Sequence, residues 1–87
     1  MFRPEEILER LRGKPFLPVR IIVDEGLHYD IYHPDLVLVG DRFLEIGLPS
    51  SKNPLIFDTI VRVAILHVVA LEDIPTAKAS SDGVAGS

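Results

Sequence analysis

The chain has no cysteine, so neither a disulfide framework nor a thiolate metal site can hold it together. It has no glycine-rich phosphate loop, because Gly40 and Gly47 stand alone as turn glycines do. No serine sits in the setting of an activated nucleophile. An excess of positive charge is missing too: nine lysines and arginines face thirteen acids, for a formal charge of −4. That balance opposes the broad positive field on which non-specific nucleic-acid binding relies. The opening Met1-Phe-Arg-Pro-Glu-Glu6 is not a basic stretch leading into an apolar block, so no secretory leader is expected and the expected location is the cytoplasm. No apolar run is long enough to span a bilayer, and no membrane association is expected.

What the chain does have is hydrophobic surface. Of its 87 residues 47% are hydrophobic, a large share for a body with room for one small domain. The run Ile60-Val-Arg-Val-Ala-Ile-Leu-His-Val-Val-Ala-Leu71 is interrupted only by Arg62 and His67. A strand with one wet face would alternate, and this one does not. Protein is therefore expected on both sides of it. Ile60, Val61, Val63, Ile65 and Val68 are the expected contacts between subunits of a homo-oligomer.

The elements follow from local pattern. Pro4 suits a first helical position, Glu5 and Glu6 favour the positive end of the helix dipole, and Arg10 and Arg12 favour the negative end. Gly13 and Pro15 then end the helix, whose apolar anchors are Ile7, Leu8 and Leu11. From Pro18 the period becomes two. Val19, Ile21 and Val23 alternate with Arg20, Ile22 and Asp24 up to the turn Asp24-Glu25-Gly26. Leu27, Tyr29 and Ile31 continue to His33-Pro34-Asp35, where Pro34 removes a backbone donor. Leu36–Val39 and Arg42–Ile46 flank Gly40-Asp41, which predicts a two-residue hairpin with Gly40 at positive φ. Leu48–Pro54 reads as a polar loop. The long apolar run is expected to break near Leu66-His67. One domain over 1–74 and a flexible tail over 75–87 are expected, because the last residues are rich in Ala, Ser and Gly. The fold class predicted is mainly β: a small SH3-like or Sm-like five-stranded barrel with an N-terminal α-helix, since closure removes exposed sheet edges.

The order Ile7-Leu8, Leu11-Arg12, Pro18-Val-Arg-Ile-Ile-Val-Asp-Glu-Gly26, Leu36–Val39, Ile60–Ile65 and Val68-Val69 resembles the Sm-like barrel of bacterial Hfq-type RNA chaperones. The combination Pro15-Phe16-x-Pro18-Val19-Arg20-Ile21, Asp24-x-Gly26 and His33-Pro34-Asp35 resembles short bacterial proteins of unknown activity. The Hfq-type resemblance implies a barrel and a ring or other oligomer. In that family an aromatic at the start of the third strand stacks on bases, and a basic residue followed by histidine contacts RNA. Here Leu36 and Arg62-Val63 stand at those places, and the segment between Gly26 and Leu36 is shorter.

Chemistry-bearing residues are few. His28, Asp30, His33 and Asp35 form H-x-D-x-x-H-x-D, ligand types that suit zinc or another divalent ion. Strand alternation places His28 and Asp30 on one face and His33 on the other, so the favoured reading is a polar outer strand face running into a polar turn. Arg20, Arg42 and Arg62 lie within strands; they could converge on an anion, or pair with Asp24, Asp30, Glu45 or Asp58. Tyr29 and Tyr32 point to opposite faces, so at most one joins the core. The candidate partner surface comprises Arg20, His33, Asp35, Arg62 and His67. The function expected is a non-enzymatic, homo-oligomeric interaction or scaffold module with an unknown protein partner and no cofactor. An Sm-like RNA-binding ring is the alternative.

Overall fold

A computed structural model describes residues 1–53 and 56–75. The first element is α1, Pro4–Leu11. Pro4 needs no amide partner in the first turn, and the Glu6 carboxylate accepts the Arg3 amide at 2.7 Å. Ile7 and Leu11, one turn apart, are buried, while Leu8 is more than a third exposed. The buried stripe is thus narrower than the three anchors expected. The chain then reaches β1 (Val19–Val23) through a cis Lys14–Pro15 peptide.

Among the described residues six strands follow rather than five. β1, β2 (His28–Ile31) and β6 (Val68–Asp73) form one antiparallel sheet in the order β2-β1-β6. β3 (Val37–Val39), β4 (Phe43–Pro49) and β5 (Phe57–Ala64) form the other, in the order β3-β4-β5. No strand ladder joins the sheets among the described residues, so the closed barrel expected from the sequence is corrected to two three-stranded sheets. The physical reason lies in two 3₁₀ turns. Pro34–Leu36 separates β2 from β3, and Ile65–His67 separates β5 from β6. Each turn sends the chain from one sheet to the other. The second falls where the break in the apolar run is expected.

The inner faces share one core. Val19, Ile21 and Ile31 of the first sheet meet Leu44 and Ile46 of the second, with Ile7 and Leu11 of α1 in the same cluster. The burial of β1 alternates strictly, as its sequence does. Strand ends differ more from expectation. β4 runs on through Pro49, and β5 starts at Phe57 instead of Ile60. The β3–β4 connection covers Gly40–Arg42, and Gly40 is not at positive φ; among the described residues Gly26 is the glycine that is, at 80°. Gly40 suits its place for a different reason. Its amide donates to the Phe43 carbonyl at 2.8 Å, and a Cβ there would lie 3.0 Å from that oxygen. The preceding turn holds Glu25 in the left-handed region at φ 66°. Residues 76–87, which include all but the first residue of the expected tail, lie outside the described residues.

Candidate functional site

Strand alternation gives each sheet an outer face, and the two faces differ in chemistry. On the first sheet Arg20 is opposite Asp30 in β2 and opposite Glu72 in β6. Its Nε and Nη2 donate to the two carboxylate oxygens of Asp30 at 2.8 and 3.2 Å. The bidentate hydrogen bond from Arg20 holds the Asp30 carboxyl below its usual range, against the partial burial that would raise it. The same bond, with the charge of Asp30 and then of Glu72, raises Arg20. This face is polar and internally matched.

The outer face of the second sheet is apolar around one ion pair. Leu38, Glu45 and Arg62 stand in a row across β3, β4 and β5. Arg62 donates to Glu45 Oε2 through Nε at 3.1 Å and Nη2 at 2.7 Å. Its guanidinium carbon lies 5.4 Å from the centroid of the Phe43 ring, within reach of a cation–π contact. Gly47 is opposite Ile60, and the Phe57 ring covers the place where a Gly47 side chain would be. Leu38 and Ile60 are 67% and 62% exposed, and Phe43 and Phe57 nearly half exposed. The outer face is therefore a hydrophobic plate with a salt bridge at its centre.

The residues singled out from sequence do not gather at one point. Arg20 and Arg62 lie on different sheets, each held by a carboxylate on the neighbouring strand. His67 Nδ1 lies 2.6 Å from Asp24 Oδ2, with both side chains about half exposed. That contact ties the β5–β6 turn to the β1–β2 turn. His33 is exposed ahead of the Pro34–Leu36 turn. Asp35 lines an open cleft of about 560 Å³ against α1, together with Leu8, Arg12, Lys14 and Phe16. In that cleft the Asp35 carboxylate shares the lining with the cationic side chains of Arg12 and Lys14, not with a histidine. No three of His, Asp and Glu come together as a metal-holding group among the described residues, and Asp30 is committed to Arg20.

Of the expected interface residues, Val63, Ile65 and Val68 are buried in the chain's own core. Val61 is partly buried against that core, and Ile60 faces outward. Much of the apolar run is thus covered within one copy. Leu38, Phe43 and Phe57 were not among the candidates. A signal for Phe43 exists, because Glu45 between Leu44 and Ile46 marks the outward parity that Phe43 shares. Leu38 sits in a run with no polar residue, and Phe57 depends on a register that no local pattern reveals.

No helix among the described residues is long and apolar enough to cross a membrane. The chain matches no protein-family model, no curated protein and no solved structure.

Proposed function

We propose that this chain is a non-enzymatic interaction module that associates with itself and presents a scaffold surface to a protein partner. The observation that carries the reading is the outer face of the β3-β4-β5 sheet, where Leu38, Phe43, Phe57 and Ile60 stay open to solvent. Monomers seldom expose a contiguous apolar plate of that kind, and such plates mark contact surfaces. An ion pair at the centre adds direction, since Glu45 and Arg62 favour a partner that respects their charges. The strand order, with a 3₁₀ turn between the last two strands, supports reading the body as an SH3-like or Sm-like small barrel opened between its two sheets. The ring of RNA-binding type draws less support, because Arg62 and Arg20 are both occupied by carboxylates.

Sedimentation equilibrium at micromolar concentrations tests the reading. The expected result is a discrete oligomer, and the double variant Phe57→Ser with Ile60→Ser should shift it toward monomer while leaving the circular dichroism spectrum unchanged. A wild-type monomer across the whole concentration range overturns the proposal.

A further inference from the structure

Among the described residues each sheet ends in open edges, and the four edge strands are not equivalent. β3 has three residues and β2 four, too few for a stable ladder with another chain. β6 has six, but its two charges, Glu72 and Asp73, have no basic residue in the strand to pair with across a two-fold axis. β5 is the longest, with eight residues and, among the described residues, β4 as its one strand partner. Long, unprotected edges are templates for pairing with another chain.

The direction of its free backbone groups can be worked out. The Ile65 amide donates to the Arg42 carbonyl at 2.9 Å, which continues the β4–β5 register past Phe43 and Ala64. In an antiparallel pair these bonds recur at every second residue. Positions 63 and 61 therefore turn their amides and carbonyls toward β4, and Ala64, Arg62 and Ile60 turn theirs outward. Asp58 is skipped by the β4 register, which steps from Thr59 to Phe57 between Leu48 and Pro49. Its side chain is exposed and takes part in no ion pair among the described residues.

We infer that two copies of this chain pair antiparallel along their β5 edges about a two-fold axis at Ile60, with Asp58 of each copy opposite Arg62 of the other. This rests on the self-association reading above and specifies its geometry. A two-fold interface must be complementary to itself, and β5 meets that condition in this register. Ile60 meets Ile60, and counting along the chain across the irregularity at Asp58, both Asp58–Arg62 pairings join opposite charges. Shifting the centre to Arg62 would place like charges together, which is unfavourable for directly opposed residues. Each Arg62 then bridges Glu45 of its own chain and Asp58 of the partner copy. The two sheets become one six-stranded sheet, and Ile60 with the Phe57 rings is covered along the seam.

The absence of cysteine makes a direct test available. Ile60→Cys places one thiol per chain on the proposed axis. Directly opposed, hydrogen-bonded residues of an antiparallel pair have Cα atoms about 5.5 Å apart, within disulfide range. Mild oxidation should give a covalent dimer in high yield, while Leu66→Cys, exposed away from the seam, should not. Separately, Asp58→Arg alone and Arg62→Glu alone should each weaken dimerisation at least tenfold, and an equimolar mixture of the two should form a heterodimer. Circular dichroism of each variant reports folding. A dimer indifferent to both charge changes and to Ile60→Cys overturns the two-fold pairing but leaves self-association standing. So does a larger ring in which Ile60→Cys gives no covalent pair. A wild-type monomer overturns both.

Discussion

Arg10 and Asp73, 63 positions apart, meet through a 2.6 Å bond between Nη2 and Oδ1. The same guanidinium donates to the carbonyls of Leu17 and Pro18 at 3.0 and 3.4 Å. One side chain thus ties α1 to the entry of β1 and the exit of β6. The parts are unequal. Asp73 is 79% exposed, and an ion pair so open to solvent contributes roughly 0–1 kcal/mol. Arg10 is three-quarters covered and serves two backbone acceptors as well. Arg10→Ala is expected to destabilise by about 1–2 kcal/mol, and Asp73→Ala by less than about 1 kcal/mol.

Apolar packing of α1 should outweigh that clamp. Leu11→Ala empties a buried site and should lose about 2–5 kcal/mol, with the spread set by how far the cavity collapses. Leu8→Ala, on the exposed flank, should stay within roughly 0.5 kcal/mol. Urea unfolding of the three helix variants, Arg10→Ala, Leu11→Ala and Leu8→Ala, checks the order. Equal losses for Leu8 and Leu11 would mean that the helix packs on a different face.

The Arg20–Asp30 pair predicts an acid limb in the stability profile. Asp30 has a folded-state pKa below its ordinary value of 3.8 because it accepts hydrogen bonds from Arg20. A carboxylate lowered in the folded state contributes stability that is complete above its unfolded value and lost as pH falls through the folded one. The loss should therefore begin near about pH 4 and finish below it. Urea midpoints measured from about pH 7 to about pH 2 should fall in the wild type. Asp30→Asn should start lower and lack that part of the slope. Parallel curves for the two proteins would show that the pair carries no linkage.

How far this fold could be read from sequence depends on which signal each element uses. β1 was legible because Val19, Ile21 and Val23 obey a strict two-residue period and are all buried. The break after Ala64 was legible as an over-long run that one short strand could not use up. Strand count and closure were not. Pro34 marks a stop but does not say that the next strand joins a different sheet, and this depends on contacts between distant segments. Gly40 was placed in the correct connection for a different reason from the one that holds. A hairpin glycine is read as a positive-φ residue, whereas here a Cβ would crowd the Phe43 carbonyl oxygen at 3.0 Å. Pairing of Arg20 and Arg62 with nearby acids followed from composition. The exposed plate did not, because hydrophobic residues in a strand look the same facing inward or outward until register is known.

Gly47 and Phe57 form a coupled pair. A Cβ built on Gly47 lies 2.9 Å from the Phe57 ring, closer than van der Waals contact allows, so Gly47→Ala must push the ring aside. The ring is the end of a movable side chain on an exposed face, which keeps the cost near about 1 kcal/mol. In a Phe57→Ala background the conflict is gone, and alanine then gains from its smaller loss of backbone freedom in a strand. The same Gly47→Ala change should then be neutral or slightly stabilising. A double-mutant cycle measures the coupling, and additive effects would mean that the ring does not rest on Gly47 in solution.

Nucleic acid is the last partner to consider, and the expected result is no tight binding to RNA. Arg62 would have to leave Glu45, which accepts two of its hydrogen bonds, before it could neutralise a phosphate. Leu36, where the Hfq-type resemblance calls for a stacking aromatic, is buried beneath the Pro34–Leu36 turn. That position offers neither a ring nor an exposed surface, and base stacking of about 1–3 kcal/mol per base is lost with it. Arg12 and Lys14 line the α1 cleft and make no ion pair among the described residues, but Asp35 shares the same lining. Two copies joined at β5 would bring both Arg62 side chains to the seam, each with carboxylates on either side. Anisotropy titrations of short A-rich and U-rich RNAs near physiological salt should show no sub-micromolar binding. Binding that is tighter than this, weakens as salt rises and disappears in Arg62→Ala would mean that the guanidinium leaves Glu45 for a phosphate, and the RNA-binding ring would then be the better reading.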